Sequence, residues 1–437
     1  MAVFAYLLAF LAAGMSALFF LRVRSPTSIV LSIPKVLTGS VTAFVAVMGA
    51  LGVAFGLLSR ASLAIPAGVT GALLSVRYVL RVAARHDGFE RAFGLDWQRQ
   101  IAPEQQARML KRRWVWQLPS HRGVRWERDV SFWTIPGTDR ELLCDIWQPP
   151  EDVSPSGLAF IYFHGSAWHW MDKDLNTRPF FRHLATQGHV VMDVAYRLCP
   201  KVDIYAMIGD VKRAVVWMKT NAEKYGLDPA RVVVAGGSAG GHLALLAAYA
   251  PDHPELTPGD VREADRSVRA VVAYYGPADM RAFYQHFDAT FGSLGKGLEP
   301  GEGSILFRIT GAVTEWVMRS SSEKMKEQQP FSSFDWMMAN LLGGSPDEVP
   351  EVYELASPIT HVGSGSPPTL LLQGEHDSFV PAYVSRALHH KLVEAGVPSV
   401  YLEFPQTEHG FDLLLPRYAP AAQAALYDVD RFLALMV

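Results

Sequence analysis

The sequence predicts an α/β domain with a doubly wound, mostly parallel sheet, preceded by transmembrane helices. Two observations carry this prediction. Three long apolar stretches without charged residues fall within residues 1–85. From about residue 141 onward, short apolar or β-branched runs alternate with helical patterns, which is typical of strands buried on both faces of a sheet. A segment at 279–340 fits no sheet pattern and predicts an inserted helical cap.

The apolar stretches predict about three membrane helices in residues 1–85. They run over residues 2–21, 36–59 and 61–76. The first has 20 residues without a charge, which at a rise of 1.5 Å per residue spans about 30 Å, the thickness of a bilayer core. A cleaved secretory signal is the alternative, but no Lys or Arg precedes this run, which is also longer than a typical signal core. Whether the third stretch spans stays open, because Pro66 interrupts it.

The positions of Lys and Arg predict the orientation of these helices. The first connection carries Arg22, Arg24 and Lys35, and the second carries little beyond Arg60. Four arginines follow the third stretch between residues 77 and 91. Because positive residues accumulate in cytoplasmic connections, three spans put the N-terminus outside and the rest of the chain in the cytoplasm. Two spans would put the larger arginine cluster on the wrong side.

Residues 86–130 are predicted to be a polar, largely helical segment between the membrane region and the domain. Basic residues from Arg108 to Arg113 adjoin Trp114 and Trp116, a combination that suits a lipid headgroup surface. A solvated helix leading into the domain explains the same composition, and both interpretations stay open.

The domain itself is predicted at residues 131–437. Its strands are expected at 158–163, 190–196, 232–235, 270–275, 369–373 and 400–404. Helices are expected at 204–225, 239–249, 382–395 and 419–435. In such folds the functional residues gather at the carboxyl ends of the strands.

Composition excludes several classes of function. The net charge of −3 and the lack of a long basic block predict no nucleic-acid partner. Only Cys144 and Cys199 occur, so neither a disulfide framework nor a cysteine metal cluster is expected, and two buried free thiols are favoured over one disulfide. Hydrophobic residues make up 49% of the chain, more than in an average soluble protein, and the first 85 residues account for the excess.

A candidate nucleophile lies in the sequence from Gly236 to Gly240, which has the form Gly-x-Ser-x-Gly with Ser238 at its centre. The bare motif is weak evidence, but here a predicted strand precedes it and a predicted helix follows it. A serine on that sharp turn has its Oγ exposed above the sheet, and the flanking glycines relieve clashes. A glycine-rich turn without chemistry is the alternative interpretation.

A serine hydroxyl needs a base, and the base needs an acid to orient it. Asp377 and His409 each follow a predicted strand, in the order serine, acid, histidine. Asp377 would fix the imidazole tautomer, and His409 would accept and return the serine proton. Glu375 competes with Asp377 for the acid, and His376 and His361 are the competing histidines nearby.

An oxyanion hole is expected directly after the strand at 158–163. There the sequence from His164 to Trp168 reads His-Gly-Ser-Ala-Trp, and its small residues let backbone N–H groups approach a negatively charged oxygen. The N–H of Ala239, after the nucleophile, would join them. His164 is expected to order this loop together with Gly165 rather than to act as a base.

These motifs resemble those of the hormone-sensitive-lipase-like and BD-FAE-type esterases of the α/β-hydrolase fold. The resemblance covers about residues 130–437 and rests on several segments together. They are Tyr196-Arg197-Leu198 with Pro200, Gly226-Leu227-Asp228-Pro229, the run from Gly236 to Gly241, and Gly374 to Pro381.

The resemblance implies Ser238, Asp377 and His409 as a catalytic triad, with the N–H groups of Ser166, Ala167 and Ala239 as oxyanion donors. It also implies hydrolysis of carboxylic esters, or of amides as in the related formamidases. Members of the family usually have His-Gly-Gly-Gly or His-Gly-Gly-x in this loop, whereas Ser166 and Ala167 stand here, so a narrower acyl pocket is expected.

The favoured hypothesis is a membrane-anchored serine esterase or lipase that acts on a hydrophobic ester at or near the bilayer, through an acyl-enzyme and without metal or organic cofactor. An amidase or formamidase of the same fold is the second hypothesis, because both reactions pass through the same tetrahedral intermediate. A hydrolase-like membrane protein without turnover is the third. The sequence does not predict the acyl chain length or the oligomeric state.

Overall fold

A computed structural model describes residues 1–24, 28–292 and 333–437. Its central sheet has eight strands in the order β1-β2-β4-β3-β5-β6-β7-β8, the order of the α/β-hydrolase fold. The strands are β1 Arg125–Thr134, β2 Glu141–Gln148, β3 Ala159–Phe163, β4 Val190–Val194, β5 Val232–Gly237, β6 Ala270–Tyr274, β7 Thr369–Gly374 and β8 Ser399–Phe404. Strands β3 to β8 pair in parallel. At one edge of the sheet, β2 pairs antiparallel with both β4 and β1.

The six strands predicted from the sequence all form, within one or two residues at most of their ends. Strand β1 was not predicted: it begins at Arg125, inside the segment expected to be helical. Strand β2 lies where the strand–helix alternation was expected to begin, but no strand was placed there. Both strands belong to the antiparallel edge, where the long buried apolar runs of a parallel strand are not required.

Helices cover both faces of the sheet. After residue 85 the helices of the described chain are α5 Gly88–Phe93, α6 Pro103–Arg108, α7 Arg178–Thr186, α8 Ile204–Thr220, α9 Ala222–Tyr225, α10 Ala239–Tyr249, α11 Met280–Phe291, α12 Phe334–Leu342, α13 Pro350–Leu355, α14 Ala382–Glu394 and α15 Pro420–Met436. Short 3-10 helices lie at Trp97–Gln100, Pro254–Leu256, Gly259–Val261 and Pro358–His361. Helices α8, α10 and α14 pack on one face, and α7 and α15 pack on the other.

Three N-terminal helices are long and apolar enough to cross a membrane: Ala2–Phe20, Thr42–Ser59 and Ala64–Val82. The first comprises α1 Ala2–Ala17 and a 3-10 turn at Leu18–Phe20, and the other two are α3 and α4. The apolar stretch at 61–76 forms most of α4, which continues to Val82 and carries Arg77 and Arg81 in its last turns. Between the first two spans, a 3-10 turn at Ser28–Leu31 leads into the short helix α2 Ser32–Ser40.

The three spans pack through small residues. A Cβ added to Gly52 would lie 2.8 Å from the backbone nitrogen of Ala9, and one added to Gly71 would lie 2.6 Å from the carbonyl carbon of Ala12. Ser16 adds a polar contact, because its hydroxyl donates to the Gly71 carbonyl at 2.9 Å. Such close backbone approach is how helices associate in lipid, where the hydrophobic effect no longer drives them together.

The connection between the first two spans lies at the same end of the bundle as the α/β domain. Arg22 pairs with Glu375 at 3.1 Å, and Lys35 pairs with Glu408 at 3.2 Å. Antiparallel packing of three spans requires this arrangement, because the chain leaves the first and third spans at the same end.

The segment at 86–130 is less helical than predicted. Helix α6 ends at Arg108, and Arg113 is buried against Asp428 at 2.5 Å, so this arginine serves the protein interior rather than a free basic surface. Trp116 remains 47% exposed and packs edge-on against Phe44 in the second span, with ring centroids 4.8 Å apart. One aromatic residue of this segment therefore lies against the apolar N-terminal helices.

Candidate active site

Ser238 lies on the turn between strand β5 and helix α10. Its backbone has φ 54° and ψ −120°, a conformation that non-glycine residues adopt rarely. The N–H of Ser238 donates to the Tyr274 carbonyl at 2.9 Å, and the Ser238 carbonyl accepts from His242 at 2.9 Å. These bonds hold the strained turn, and the partly exposed side chain stands above the sheet.

Two glycines make this turn possible. A Cβ added to Gly240 would lie 1.9 Å from the Phe163 carbonyl oxygen, and one added to Gly236 would lie 2.3 Å from the carbonyl carbon of Gly240. The spacing of the motif thus follows from the close approach of α10 to strands β3 and β5.

The structure brings Ser238, Asp377 and His409 together in a chain of hydrogen bonds. His409 Nε2 lies 3.0 Å from Ser238 Oγ, and His409 Nδ1 lies 2.8 Å from Asp377 Oδ2. Asp377 Oδ1 accepts from the backbone N–H groups of Phe379 at 3.0 Å and Val380 at 2.8 Å. The carboxylate is therefore fixed by its own loop while it orients the imidazole.

The electrostatic surroundings make His409 a stronger base than an ordinary imidazole. Burial lowers the pKa of His409, but the Asp377 carboxylate, together with Glu408 and Asp412, more than offsets burial and raises it above the ordinary value. Such a base is well suited to hold the serine proton during the reaction.

The sequence analysis missed two residues beside His409. The ring of Tyr275 lies 4.3 Å from the imidazole, centroid to centroid, and its hydroxyl donates to Asp412. Burial raises the pKa of Asp412 to about 6, although the Tyr275 hydrogen bond opposes the rise. The one available signal was the position of Asp412 three residues after His409, and no sequence pattern places Tyr275 beside it.

The predicted oxyanion loop runs alongside the nucleophile. A Cβ added to Gly165 would lie 2.9 Å from the Gly237 carbonyl oxygen and 3.3 Å from Ser238 Cβ. Ser166, Ala167 and Trp168 all have positive φ, at 93°, 52° and 62°. Non-glycine residues adopt such conformations rarely, so the loop is held in an unusual backbone shape beside Ser238.

No protein acceptor within the described ranges binds the backbone N–H groups of Ser166, Ala167 or Ala239. The loop is fixed to helix α10 by a side-chain hydrogen bond, because Trp168 Nε1 donates to His242 Nδ1 at 3.2 Å. Those three donors remain free to bind a ligand oxygen.

His164 contacts the loop rather than the nucleophile. Its ring stacks on Tyr196 at 4.5 Å, and its Nδ1 donates to the Gly165 carbonyl at 2.9 Å. Tyr196 also donates to the His164 carbonyl at 2.8 Å. Burial lowers the pKa of His164, so the side chain is neutral and suited to ordering the loop.

The competing residues are engaged elsewhere. Glu375 binds Arg22 at 3.1 Å, His376 Nδ1 lies 3.0 Å from the Lys35 ammonium, and His361 Nε2 donates to the Leu355 carbonyl at 2.8 Å. In the ranges that the structure describes, no group of three or more His, Cys, Asp or Glu side chains is arranged to hold a metal ion. Cys144 and Cys199 are both buried free thiols, as expected.

Aromatic residues from the predicted cap lie against the site. Phe379 stands 5.3 Å from the His409 ring, centroid to centroid, and Phe287 and Phe291 of helix α11 stack toward Phe379 at 6.2 and 5.8 Å. Phe334 of α12 stacks on Phe287 at 4.1 Å. Residues 293–332 of the predicted cap lie outside the described residues.

Comparison with known proteins agrees with this architecture. A sequence model of the BD-FAE family matches residues 144–297 and 306–392, more than half of the chain. The chain belongs to the BD-FAE family. Two curated relatives come from Mycobacterium tuberculosis: the probable carboxylic ester hydrolase LipM is 34% identical over 293 residues, and the esterase LipQ is 32% identical over 278.

These alignments cover 66% and 63% of this chain but only 57% and 55% of LipM and LipQ. The chain therefore spans little more than half the length of the curated relatives it matches. A solved structure of the esterase Est2 from Thermogutta terrifontis is 23% identical, with a TM-score of 0.49, and the match covers 72% of this chain and 93% of that one.

Proposed function

We propose that this BD-FAE family member is a membrane-anchored serine hydrolase of carboxylic esters, acting through an acyl-enzyme on a hydrophobic ester. The observation that carries the proposal is the hydrogen-bonded series Asp377–His409–Ser238, with contacts of 2.8 and 3.0 Å. Ester hydrolysis is also the activity named for the relatives LipM and LipQ.

Each residue has a defined role in this mechanism. Ser238 Oγ attacks the ester carbonyl carbon while His409 Nε2 takes its proton, and Asp377 stabilises the resulting imidazolium. The N–H groups of Ser166, Ala167 and Ala239 bind the oxyanion, each donor contributing about 2.7–4 kcal/mol to transition-state stabilisation. His409 then protonates the leaving alcohol. A water molecule, deprotonated by His409, hydrolyses the acyl-enzyme and restores Ser238.

The aromatic surroundings favour an apolar substrate. Phe379 and the cap residues Phe287, Phe291 and Phe334 form a continuous apolar wall beside His409. Aromatic side chains of this size gain most from covering an apolar acyl or alkyl group.

The membrane anchor comprises the three apolar helices, and we place the catalytic domain on the cytoplasmic side. Arg22, Arg24 and Lys35 precede the second span at the end that faces the domain, and Arg60 follows that span at the other end. The excess of positive charge at the domain end supports this orientation.

Replacement of Ser238 by Ala tests the activity. In full-length protein in detergent, Ser238→Ala should abolish hydrolysis of a chromogenic ester and labelling by a fluorophosphonate probe, whereas Ser364→Ala, at an exposed position, should retain both. Residual turnover in Ser238→Ala equal to that of the unchanged protein would refute the assignment. An amide of matched structure, assayed in parallel, distinguishes an esterase from an amidase.

Single cysteines test the orientation, because Cys144 and Cys199 are buried. A membrane-impermeant maleimide should label Arg60→Cys in intact cells and should label Ser364→Cys only after lysis. The reverse pattern would place the catalytic domain outside.

A further inference from the structure

A buried ion pair joins the membrane region to the loop that carries the base. Lys35, on the short helix between the first two spans, lies 3.2 Å from Glu408, and both side chains are 1% exposed. The Lys35 ammonium also donates to the Leu21 carbonyl at 2.7 Å and lies 3.0 Å from His376 Nδ1. Within the described part of the chain, the polar contacts of this ammonium are thus with Leu21, just after the first span, and with the two catalytic loops.

Glu408 connects those two loops. It directly precedes His409, and its Oε1 accepts from the backbone N–H of Ser378, next to Asp377, at 2.6 Å. The other carboxylate oxygen, Oε2, receives Lys35. The carboxylate thus binds the acid loop with one oxygen and the membrane region with the other.

A second carboxylate, Glu375, also joins the two loops and a basic residue of the first connection, but it lies in the acid loop and binds the base loop. Glu375, in the acid loop, accepts from the backbone N–H of Gln406 in the base loop at 2.8 Å, and its other oxygen receives Arg22 at 3.1 Å. This pair is partly exposed, with side-chain exposures of 48% for Arg22 and 29% for Glu375, so solvent screens it more strongly than the Lys35 pair. In the third span, the Tyr78 hydroxyl lies 3.0 Å from Thr407 Oγ1.

The charge balance around Glu408 depends on Lys35. Among the described residues, Lys35 is the one basic side chain within ion-pair distance of Glu408, while Asp377 and Asp412 contribute further negative charge around His409. A buried carboxylate without its counter-ion either takes up a proton or moves toward water. Both changes weaken the bond to the Ser378 N–H and loosen the acid loop from the base loop.

We propose that Lys35 is a positioning residue for the catalytic triad, which acts through Glu408 to hold the Asp377 and His409 loops at their working separation. The membrane connection is then a structural part of the active site. The inference rests on the proposed function, because it presupposes that Asp377 and His409 act on Ser238.

The test compares three full-length variants in detergent micelles: Lys35→Met, Glu408→Gln and the double variant. Misplacing a catalytic group by about 1 Å costs on the order of 100-fold in rate, so Lys35→Met should lower kcat by about 10- to 100-fold with little change in KM. In the double variant no unpaired charge remains, and the Gln side-chain carbonyl can still accept from Ser378. We therefore expect the kcat of the double variant to be at least about tenfold higher than that of Lys35→Met.

Lys201→Met is the matched control, since Lys201 is exposed and has no ion-pair partner among the described residues. A Lys35→Met variant with the kcat of Lys201→Met would overturn the proposal, as would a double variant no more active than Lys35→Met. If Lys35→Met does not fold, as judged by near-UV circular dichroism, the comparison of the double variant with Glu408→Gln decides. A double variant at least as active as Glu408→Gln supports the proposal, because Lys35 then acts only through Glu408. A double variant clearly less active than Glu408→Gln overturns it. Failure of the proposed function would appear separately, as unchanged protein no more active than Ser238→Ala.

Discussion

Replacement of Asp377 by Asn should abolish the proposed esterase activity through the imidazole tautomer. Asp377 Oδ1 accepts from two backbone N–H groups, so an Asn side chain must keep its carbonyl oxygen at that position. Its NH2 group then replaces Oδ2, which now accepts from His409 Nδ1 at 2.8 Å and from Gln373 Nε2 at 2.9 Å. A donor facing Nδ1 makes that nitrogen the acceptor and puts the ring proton on Nε2.

With its proton on Nε2, His409 cannot accept the proton of Ser238. The expected loss in kcat is about 10⁴-fold, which corresponds to about 5 kcal/mol of transition-state stabilisation. Loss of the Asp377 charge also removes the main influence that raises the pKa of His409. The remaining activity should therefore rise with pH and reach its plateau at a lower pH than in the unchanged protein.

The assay is the pH dependence of kcat and kcat/KM on a chromogenic ester, with Glu375→Gln as the comparison. Gln at position 375 keeps an acceptor for the Gln406 N–H, so we expect a loss below about tenfold there. An equal loss in the two variants, or a kcat of Asp377→Asn near that of the unchanged protein, would refute this reasoning.

Two further predictions concern stability. Gly240→Ala places a Cβ 1.9 Å from the Phe163 carbonyl oxygen and should lower the free energy of unfolding by about 3 kcal/mol or more, whereas Gly259→Ala, which has open space, should leave the melting temperature nearly unchanged. Asp412 has a pKa of about 6 instead of the ordinary 3.8, so the native state holds this proton longer than the unfolded chain and loses stability as the pH rises from 4 to 6. The Asp412→Asn side chain still accepts from Tyr275 but does not titrate. Its free energy of unfolding, relative to that of the unchanged protein, should therefore rise by up to about 3 kcal/mol between pH 4 and pH 6, visible as a growing difference in melting temperature. A difference in melting temperature that stays constant over this pH range would contradict the prediction.

The sequence was sufficient to predict the parallel strands and to choose the three residues that meet at Ser238. Ser238, Asp377 and His409 each follow a strand, so their approach follows from the local order of elements and from the parallel sheet. The contact between Tyr275 and Asp412 joins two different loops, and no local pattern encodes it.

The sequence places Lys35 in the first connection, where it contributes only to the predicted orientation of the helices and not to the site. Its partner Glu408 lies 373 positions away, and neither residue has a neighbourhood in the sequence that indicates a buried pair. Strand β1 was missed because charged and apolar residues are mixed along it, with an irregular register against β2. Long-range polar contacts and irregular edge strands are the features that local periodicity does not report.

The Lys35–Glu408 pair also bears on how this kind of protein can diverge. A duplicate that lost its first two helices would keep a buried carboxylate beside the base histidine with no cation to neutralise it. Such a descendant must replace Glu408 or recruit another basic residue before it can work in solution. We therefore expect positions 35 and 408 to vary together among relatives that keep the helices, and relatives without them to have a different residue before the histidine.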